Sequence, residues 1–374
     1  MLPAAVLPQL ADELDVTMGQ AGLLVTIWAA TVVVASFPLA RLSARFDRRR
    51  VIAWALIVLS AATAVTAVAP SFPIAAGSRI VAAAATGLLW STVNAHAAAI
   101  APEHRLARAT AVVLGGATLG TVLAVPLAHA ASTVWGWRAP FIALAVVALM
   151  SSALARIVLG TSDAPEQHER LASDERRPLA PIVMLGALGG LILAAHFGAF
   201  TFIAALLEAN GSIMPTSMLL LVFGLASALG VAAVGRTGDR YPNGLVVVIS
   251  TFVAMTLAAL VMLGTHPLMD IALIAAWGAA TGGVGPAVQA RMMRAAGAEH
   301  RATAGTLLPV TFNLGIAIGA GIGSATVDLT GVSALPAVTA AIALIATTGL
   351  VFVARPHPRT AGSRTDRSRN APSS

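Results

Sequence analysis

The 374 residues contain no cysteine and no lysine, and charged side chains make up only 10% of them. Without cysteine there is no disulfide framework, no thiolate metal site and no cysteine nucleophile. Without lysine the whole basic complement is arginine, and the sequence pI is about 11.4. A soluble domain carries about 25% charged residues. A chain that is 57% hydrophobic and so sparsely charged cannot bury its apolar surface in a soluble core, so its solvent is lipid. The basic pI does not indicate nucleic acid, because the arginines sit in short hinges between apolar runs and form no arginine-aromatic surface. They suit anionic headgroups and the control of topology instead. No Walker loop, dinucleotide fingerprint, nucleophile elbow or zincin helix occurs. The chain is therefore read as neither an enzyme nor a primary ATP-driven pump, with no cofactor and no metal expected. No positive segment precedes MLPAAVLPQL, so the start does not read as a signal peptide.

What is present is a series of apolar runs, each near the roughly 20 residues of a spanning helix. The pattern predicts helices over 19–40, 51–69, 75–101, 109–131, 137–159, 181–205, 213–235, 244–264, 267–290, 303–326 and 330–354. These are eleven full spans. Residues 1–10 are apolar and precede an acidic ADELD. Ten helical residues rise about 15 Å, half of a bilayer core. This stretch reads as the outer half of a first helix whose inner half is missing, or alternatively as a short interfacial segment.

Of the 23 arginines, 21 lie in alternate connections and in the tail from 355. Positive residues stay cytoplasmic, so those connections and the C-terminus are expected on that side. The chain divides into a six-helix bundle at 1–159 with helix 1 incomplete, a polar linker at 160–180, a second bundle at 181–354 and a disordered tail at 355–374. The bundles read as a duplication. Asp47-Arg48 recurs as Asp239-Arg240, 192 residues on. Glu103-His104-Arg105 recurs as Glu299-His300-Arg301, and Leu119-Gly120 as Leu314-Gly315, at offsets of 196 and 195. Tandem halves of this kind are related by an axis along the membrane normal.

Four segments carry a specific likeness: RFDRRR (45–50), RIVAAAATGLLWST (79–92), GGATLGTVLAVPLA (115–128) and GWRAPF (136–141). With LPQLADELDV (7–16), they resemble the twelve-helix drug:proton antiporter branch of the major facilitator superfamily, and most of all the bacterial sugar-efflux and chloramphenicol-efflux permeases. The fold implied is all-α, with two six-helix bundles in a bacterial plasma membrane. The resemblance implies a monomer that exchanges a small organic molecule, a sugar or drug, for protons.

The resemblance assigns roles residue by residue. Arg45, Asp47 and Arg48, with Gly235, Asp239 and Arg240, match the loop motif after the second helix of each half. The first copy holds Ser43 and Arg50 where the family pattern has glycines. A carboxylate there can meet a helix N-terminus of the other half and latch the cytoplasmic side. The alternative is a pure topology signal. Arg79 matches an arginine linked to proton transfer. A guanidinium within a span must face the interior or snorkel to water. Gly115, Gly116, Gly120 and Pro126 match an antiporter signature in helix 5, with Val125 where that signature has glycine. Small residues there allow close helix approach. His196 is the sequence-visible proton carrier, since imidazole titrates near neutrality when hydrated; the alternative is a packing histidine. His96 and His129 read as interfacial. Trp28, Trp90, Asn94, Phe197, Phe200, Gln289, Phe312 and Asn313 are candidates to line a central cavity of mostly apolar walls with few polar groups. An uptake facilitator of the same fold, a non-transporting sensor and an inactive truncated paralogue are the rival functions.

Overall fold

The computed structural model describes residues 2–43, 45–100, 106–159, 179–238, 240, 244–296 and 300–354. In lipid a backbone polar group must find its partner within its own segment, so the apolar runs fold as helices. The order is α1 (Leu2–Glu13), α2 (Met18–Ser43), α3 (Arg48–Ala67), α4 (Phe72–Ile100), α5 (Leu106–Trp135) and α6 (Arg138–Val158). After the linker follow α7 (Ala180–Phe200), α8 (Ile203–Ala209), α9 (Thr216–Thr237), α10 (Gly244–Ala259), α11 (Pro267–Ala296), α12 (Arg301–Thr330) and α13 (Leu335–Ala354). Ten of these are long and apolar enough to cross a membrane over their described residues. All eleven predicted runs appear as helices, and α5 continues for 30 residues.

Three boundaries differ from the sequence reading. The seventh run does not continue to 205 as one helix. It breaks at Thr201–Phe202, where Phe202 leaves helical geometry (φ −111°, ψ 19°), and resumes as α8. The Thr201 hydroxyl takes the Phe197 carbonyl at 2.6 Å at this break. The run at 244–264 ends its α-helix at Ala259 and closes with a 3-10 turn, Leu260–Met262. The last run starts later, at Leu335, because Gly331 (φ +89°) ends α12 with a turn. The first segment is a 12-residue helix kinked at Val6 (φ −128°), two residues before Pro8. The kink leaves the Ala5 carbonyl facing His129 of α5, whose Nδ1 lies 2.7 Å away. Linker residues 160–178 and tail residues 355–374 lie outside the described residues.

Alternation of the helices places the connections after α2, α9 and α11 at one end of the bundle, here called the hinge side. The starts of α2, α4 and α6 lie at the far side. Within the first half, α3 packs on α4 and α6. Ser60 and Ser152 donate to the Ala145 and Ala53 carbonyls across the α3–α6 contact, at 2.7 and 2.9 Å. The halves meet along α2–α12, α5–α9 and α1–α8. In the second half α7 and α12 approach backbone to backbone. A Cβ on Gly190 would lie 2.6 Å from the Thr311 carbonyl oxygen, and one on Gly315 would collide with the Gly190 carbonyl.

Candidate functional site

The α2–α12 seam is closed at one end and open at the other. Every buried residue of α2 lies between Gly19 and Ala29, and none between 30 and 43. On α12 the described residues from Gly305 to Leu314 are likewise not buried, whereas Gly315, Ala317, Gly319, Ala320, Gly323 and Ser324 are. Four helical turns of α2 with no buried face mean that the halves splay apart on the hinge side. On the far side they are sealed.

The seal has a polar fastening. Thr17 and Gln20 form a reciprocal capping box at the start of α2: the Gln20 amide donates to the Thr17 hydroxyl and the Thr17 amide to Gln20 Oε1, each at 3.0 Å. Asp328, near the end of α12, completes it from the other half. Its carboxylate accepts from the Gly19 amide and the Thr17 hydroxyl, both at 3.0 Å. A carboxylate at a helix N-terminus is favoured by the aligned peptide dipoles as well as by the hydrogen bonds. Below this, Gly22 faces Phe202 and Ser324 so closely that a Cβ would lie 2.8 Å from the Ser324 hydroxyl. An exposed ion pair, Glu13 with Arg138, joins α1 to α6 at the same end.

Within the second half, at its α5–α9 contact with the first, lies a cavity of about 270 Å³ walled by Leu193, His196, Phe197, Phe200, Leu220, Phe223, Ser227, Thr281 and Phe312, with Val125 of α5 as its first-half wall. His196 is enclosed by rings. Its imidazole stacks on Phe223 at 5.8 Å, with planes 1° apart, and meets Trp277 edge-on at 5.3 Å. Phe197 and Phe200 complete the box at 4.7 and 5.2 Å. His196 Nδ1 and Trp277 Nε1 are buried with no hydrogen-bond partner among the described residues. His196, Ser227 and Thr281 are the polar side chains in an otherwise apolar wall.

The structure therefore brings together His196, Phe197, Phe200 and Phe312. It adds Phe223, Ser227 and Thr281 to the wall and Trp277 behind His196, all in apolar runs with no local signal to mark them. Trp28 and Arg79 form a separate pair on the first half. The guanidinium carbon lies 3.9 Å from the centre of the Trp28 ring, and Arg79 is 3% exposed. It reaches neither lipid nor the far surface; the indole face serves as its partner. Asn313 turns back to its own helix and donates to the Pro309 carbonyl at 2.9 Å. Gln289 is exposed, and so is Trp90, at 42%. None of these three lines the cavity. The Asn94 side chain lies outside the described residues.

At the hinge side Asp47 caps its own helix, accepting from the Arg49 amide at 3.0 Å, so in this conformation it does not reach the second half. Arg48 is half-buried and Arg45 exposed over Phe46. Gly235 is exposed, and Asp239 lies outside the described residues while its neighbour Arg240 lies within them. His96 is buried, with both ring nitrogens unpaired. In helix 5, Gly116 and Gly120 are exposed and a Cβ on either would meet nothing within 4 Å, so the close approach expected there is not made. It is made instead by Gly224 of α9, where a Cβ would lie 2.8 Å from the Val122 carbonyl of α5. Pro126 is buried within an unbroken α5, and Gly115 lies outside the residues whose surroundings are described. No cluster of metal-ligating side chains occurs among the described residues.

Comparison with known proteins agrees with this architecture. The chain is 32% identical over 337 residues to a chloramphenicol resistance protein of Streptomyces lividans, covering 87% of this chain and 85% of that protein. It is 29% identical over 339 residues to a chloramphenicol efflux pump of Mycobacterium tuberculosis (strain CDC 1551 / Oshkosh), covering 86% and 81%. Two crystal structures of a bacterial homologue of the human lysosomal transporter Spinster share the fold. The inward-facing, occupied form aligns with a TM-score of 0.73 at 15% identity, covering 94% of this chain and 93% of that one. The inward-facing, unoccupied form gives 0.71 at 14% identity, covering 94% of each. The Major Facilitator Superfamily profile matches residues 1–304 and 187–374. A twelve-residue α1, eleven long helices and a seam closed at one end are its architecture here, and the chain is a membrane transporter that belongs to the Major Facilitator Superfamily.

Proposed function

We propose that this chain exports a small, mainly apolar organic molecule by alternating access, with protons moving inward in exchange. One observation carries the reading: the halves are fastened at the far side by Asp328 of α12 against the start of α2 and splayed at the hinge side, with the aromatic cavity of the second half reaching Val125 of the first. That is one of two end states in a rocking cycle. In this reading the hinge side faces the cytoplasm, as the arginine distribution predicts, and bundles 1–159 and 181–354 rock as two bodies joined by 160–180. The protein works as a monomer in a bacterial plasma membrane with its C-terminus inside. Chloramphenicol is the first substrate to try, because one relative is named for its efflux and another for resistance to it.

His196 is the proposed proton carrier. It is the titratable group in the cavity wall, and its unpaired nitrogen can exchange a proton only when a cavity mouth admits water. Arg79 is proposed to bias the first half electrostatically, since a guanidinium does not itself release its proton under these conditions.

The test is radiolabelled chloramphenicol uptake into inverted membrane vesicles with an imposed gradient, acid inside. Accumulation in inverted vesicles that are acid inside, and none in right-side-out vesicles that are acid outside, is expected. The reverse would make the chain an uptake facilitator, and no flux in either would favour a sensor. His196→Phe preserves the aromatic box and removes the titratable group. It should abolish the gradient-driven component and spare substrate-for-substrate exchange; undiminished accumulation in this variant would remove His196 from the proton path.

A further inference from the structure

A second recess lies outside the transport path, on the outer wall of the first half. At the hinge side Arg49, Arg50, Asp47, Trp54 and Arg156 surround a hollow of about 490 Å³. It adjoins a groove of about 870 Å³ between α2, α3 and α4, whose rim carries Arg45 and Arg50. The two share Asp47, Arg50 and Trp54, so polar mouth and apolar floor are continuous. The floor descends along α3 through Val51, Trp54, Ala55 and Val58, and is closed opposite by Val81 and Ala84 of α4. From Arg50 to Val58 is eight residues, about 12 Å of helix rise. That takes the groove from the headgroup level, where α3 begins its span, well into hydrocarbon.

Two of the cations at the mouth, Arg49 and Arg156, are held in place by contacts that are not ion pairs. Arg49 donates to the Arg156 backbone carbonyl, joining the start of α3 to the end of α6. The Arg156 guanidinium stands 5.6 Å from the centre of the Trp54 ring. Arg49, Arg50 and Arg156 form no ion pair with any described residue. Asp47, the one carboxylate at the mouth among the described residues, accepts from the Arg49 amide. Three forked donors around one exposed indole, above an apolar slot that spans most of the roughly 15 Å of one leaflet's hydrocarbon, match an anion with an acyl chain beneath it.

We propose that this recess binds an anionic glycerophospholipid of the hinge-side leaflet, its phosphate among Arg49, Arg50 and Arg156 and one acyl chain along Trp54 and Val58. Bound there, the lipid ties α3 to α6 and borders the Asp47 turn, a contact separate from the cavity that takes substrate.

Trp54 is 60% exposed in the groove and reports directly. The purified protein in neutral detergent is titrated with phosphatidylglycerol or phosphatidylcholine brominated on one acyl chain, and tryptophan emission is followed. Trp54→Phe identifies the Trp54 share. Phosphatidylglycerol should quench at lower lipid fractions than phosphatidylcholine. Each arginine near a lipid phosphate contributes about fivefold in affinity, so Arg50→Gln with Arg156→Gln should erase most of the difference. Ala84→Leu, which narrows the slot, should weaken quenching by both lipids. Equal quenching by the two lipids in the unmodified chain overturns the proposal without reliance on any variant. Full protection by millimolar inorganic phosphate would also overturn it, by reducing the site to one for free anions.

Discussion

Gly120 and Gly315 occupy matching places in the two copies of the repeat, each following a leucine, yet their surroundings are opposite. Gly315 of α12 is buried against the backbone of α7, and with Gly319, Ala194 and Gly198 it makes a contact in which carbonyls sit where side chains would otherwise be. Gly120 of α5 is exposed. The counterpart of α7 in the first half is α1, which is short and touches α5 at the level of His129, a few turns away. A glycine pair in a membrane helix is thus only permission for close approach; the contact exists where a second helix presents its own small residues at the same level.

The comparison can be broken at its stronger member. Gly315→Leu drives a side chain into the Gly190 carbonyl, which belongs to backbone and cannot rotate away. We expect a loss of about 3 kcal/mol or more, seen as a large fall in thermal unfolding temperature in detergent. Gly120→Leu, the same change at the matched site, should stay within about 0.5 kcal/mol; an equal fall in both would show that α5 carries a tight contact after all. At the seam between halves, Gly224→Leu places a side chain against the Val122 backbone. Transport should drop by at least about tenfold, the effect of a barrier raised by about 1.4 kcal/mol, while the melting temperature changes less than for Gly315→Leu.

Smaller effects sharpen the contrast between the sealed and splayed ends. Asp328→Ala removes the cross-half cap, worth about 1 kcal/mol, or about fivefold in the balance between closed and open far side. The chain contains no cysteine, so Thr26→Cys gives a clean reporter. Its labelling by an impermeant maleimide from the far side should rise by about that factor in the Asp328→Ala background. Unchanged labelling would mean that apolar packing alone holds the seal. Glu13→Gln should be the mildest. The pair with Arg138 is exposed on both partners, so it contributes at most about 1 kcal/mol and should leave transport almost intact.

The helices were legible because lipid imposes one solution on every long apolar run, and all eleven runs are helical, with one broken at Thr201–Phe202. The site was legible in part. His196 with its neighbours Phe197 and Phe200 could be singled out because a histidine inside a span is conspicuous. Phe223 and Trp277 could not, since an aromatic within an apolar run looks the same whether it faces lipid or a cavity. Asp47 drew attention through its motif and proved to serve its own helix. Asp328 carries the cross-half contact but stands alone near a helix end, and its partner lies 309 residues earlier. Nothing local in the chain marks such a pairing; it emerges only when the two bundles are side by side.

The interlocked α7 and α12 have a mechanical corollary. With carbonyls wedged into each other's glycine notches, the two helices cannot slide or turn independently. Whatever tugs Asp328 off the top of α2 must haul the imidazole cage along as cargo. In the proposed cycle substrate grip and unbolting would then be strokes of one lever, with no flexible messenger between them.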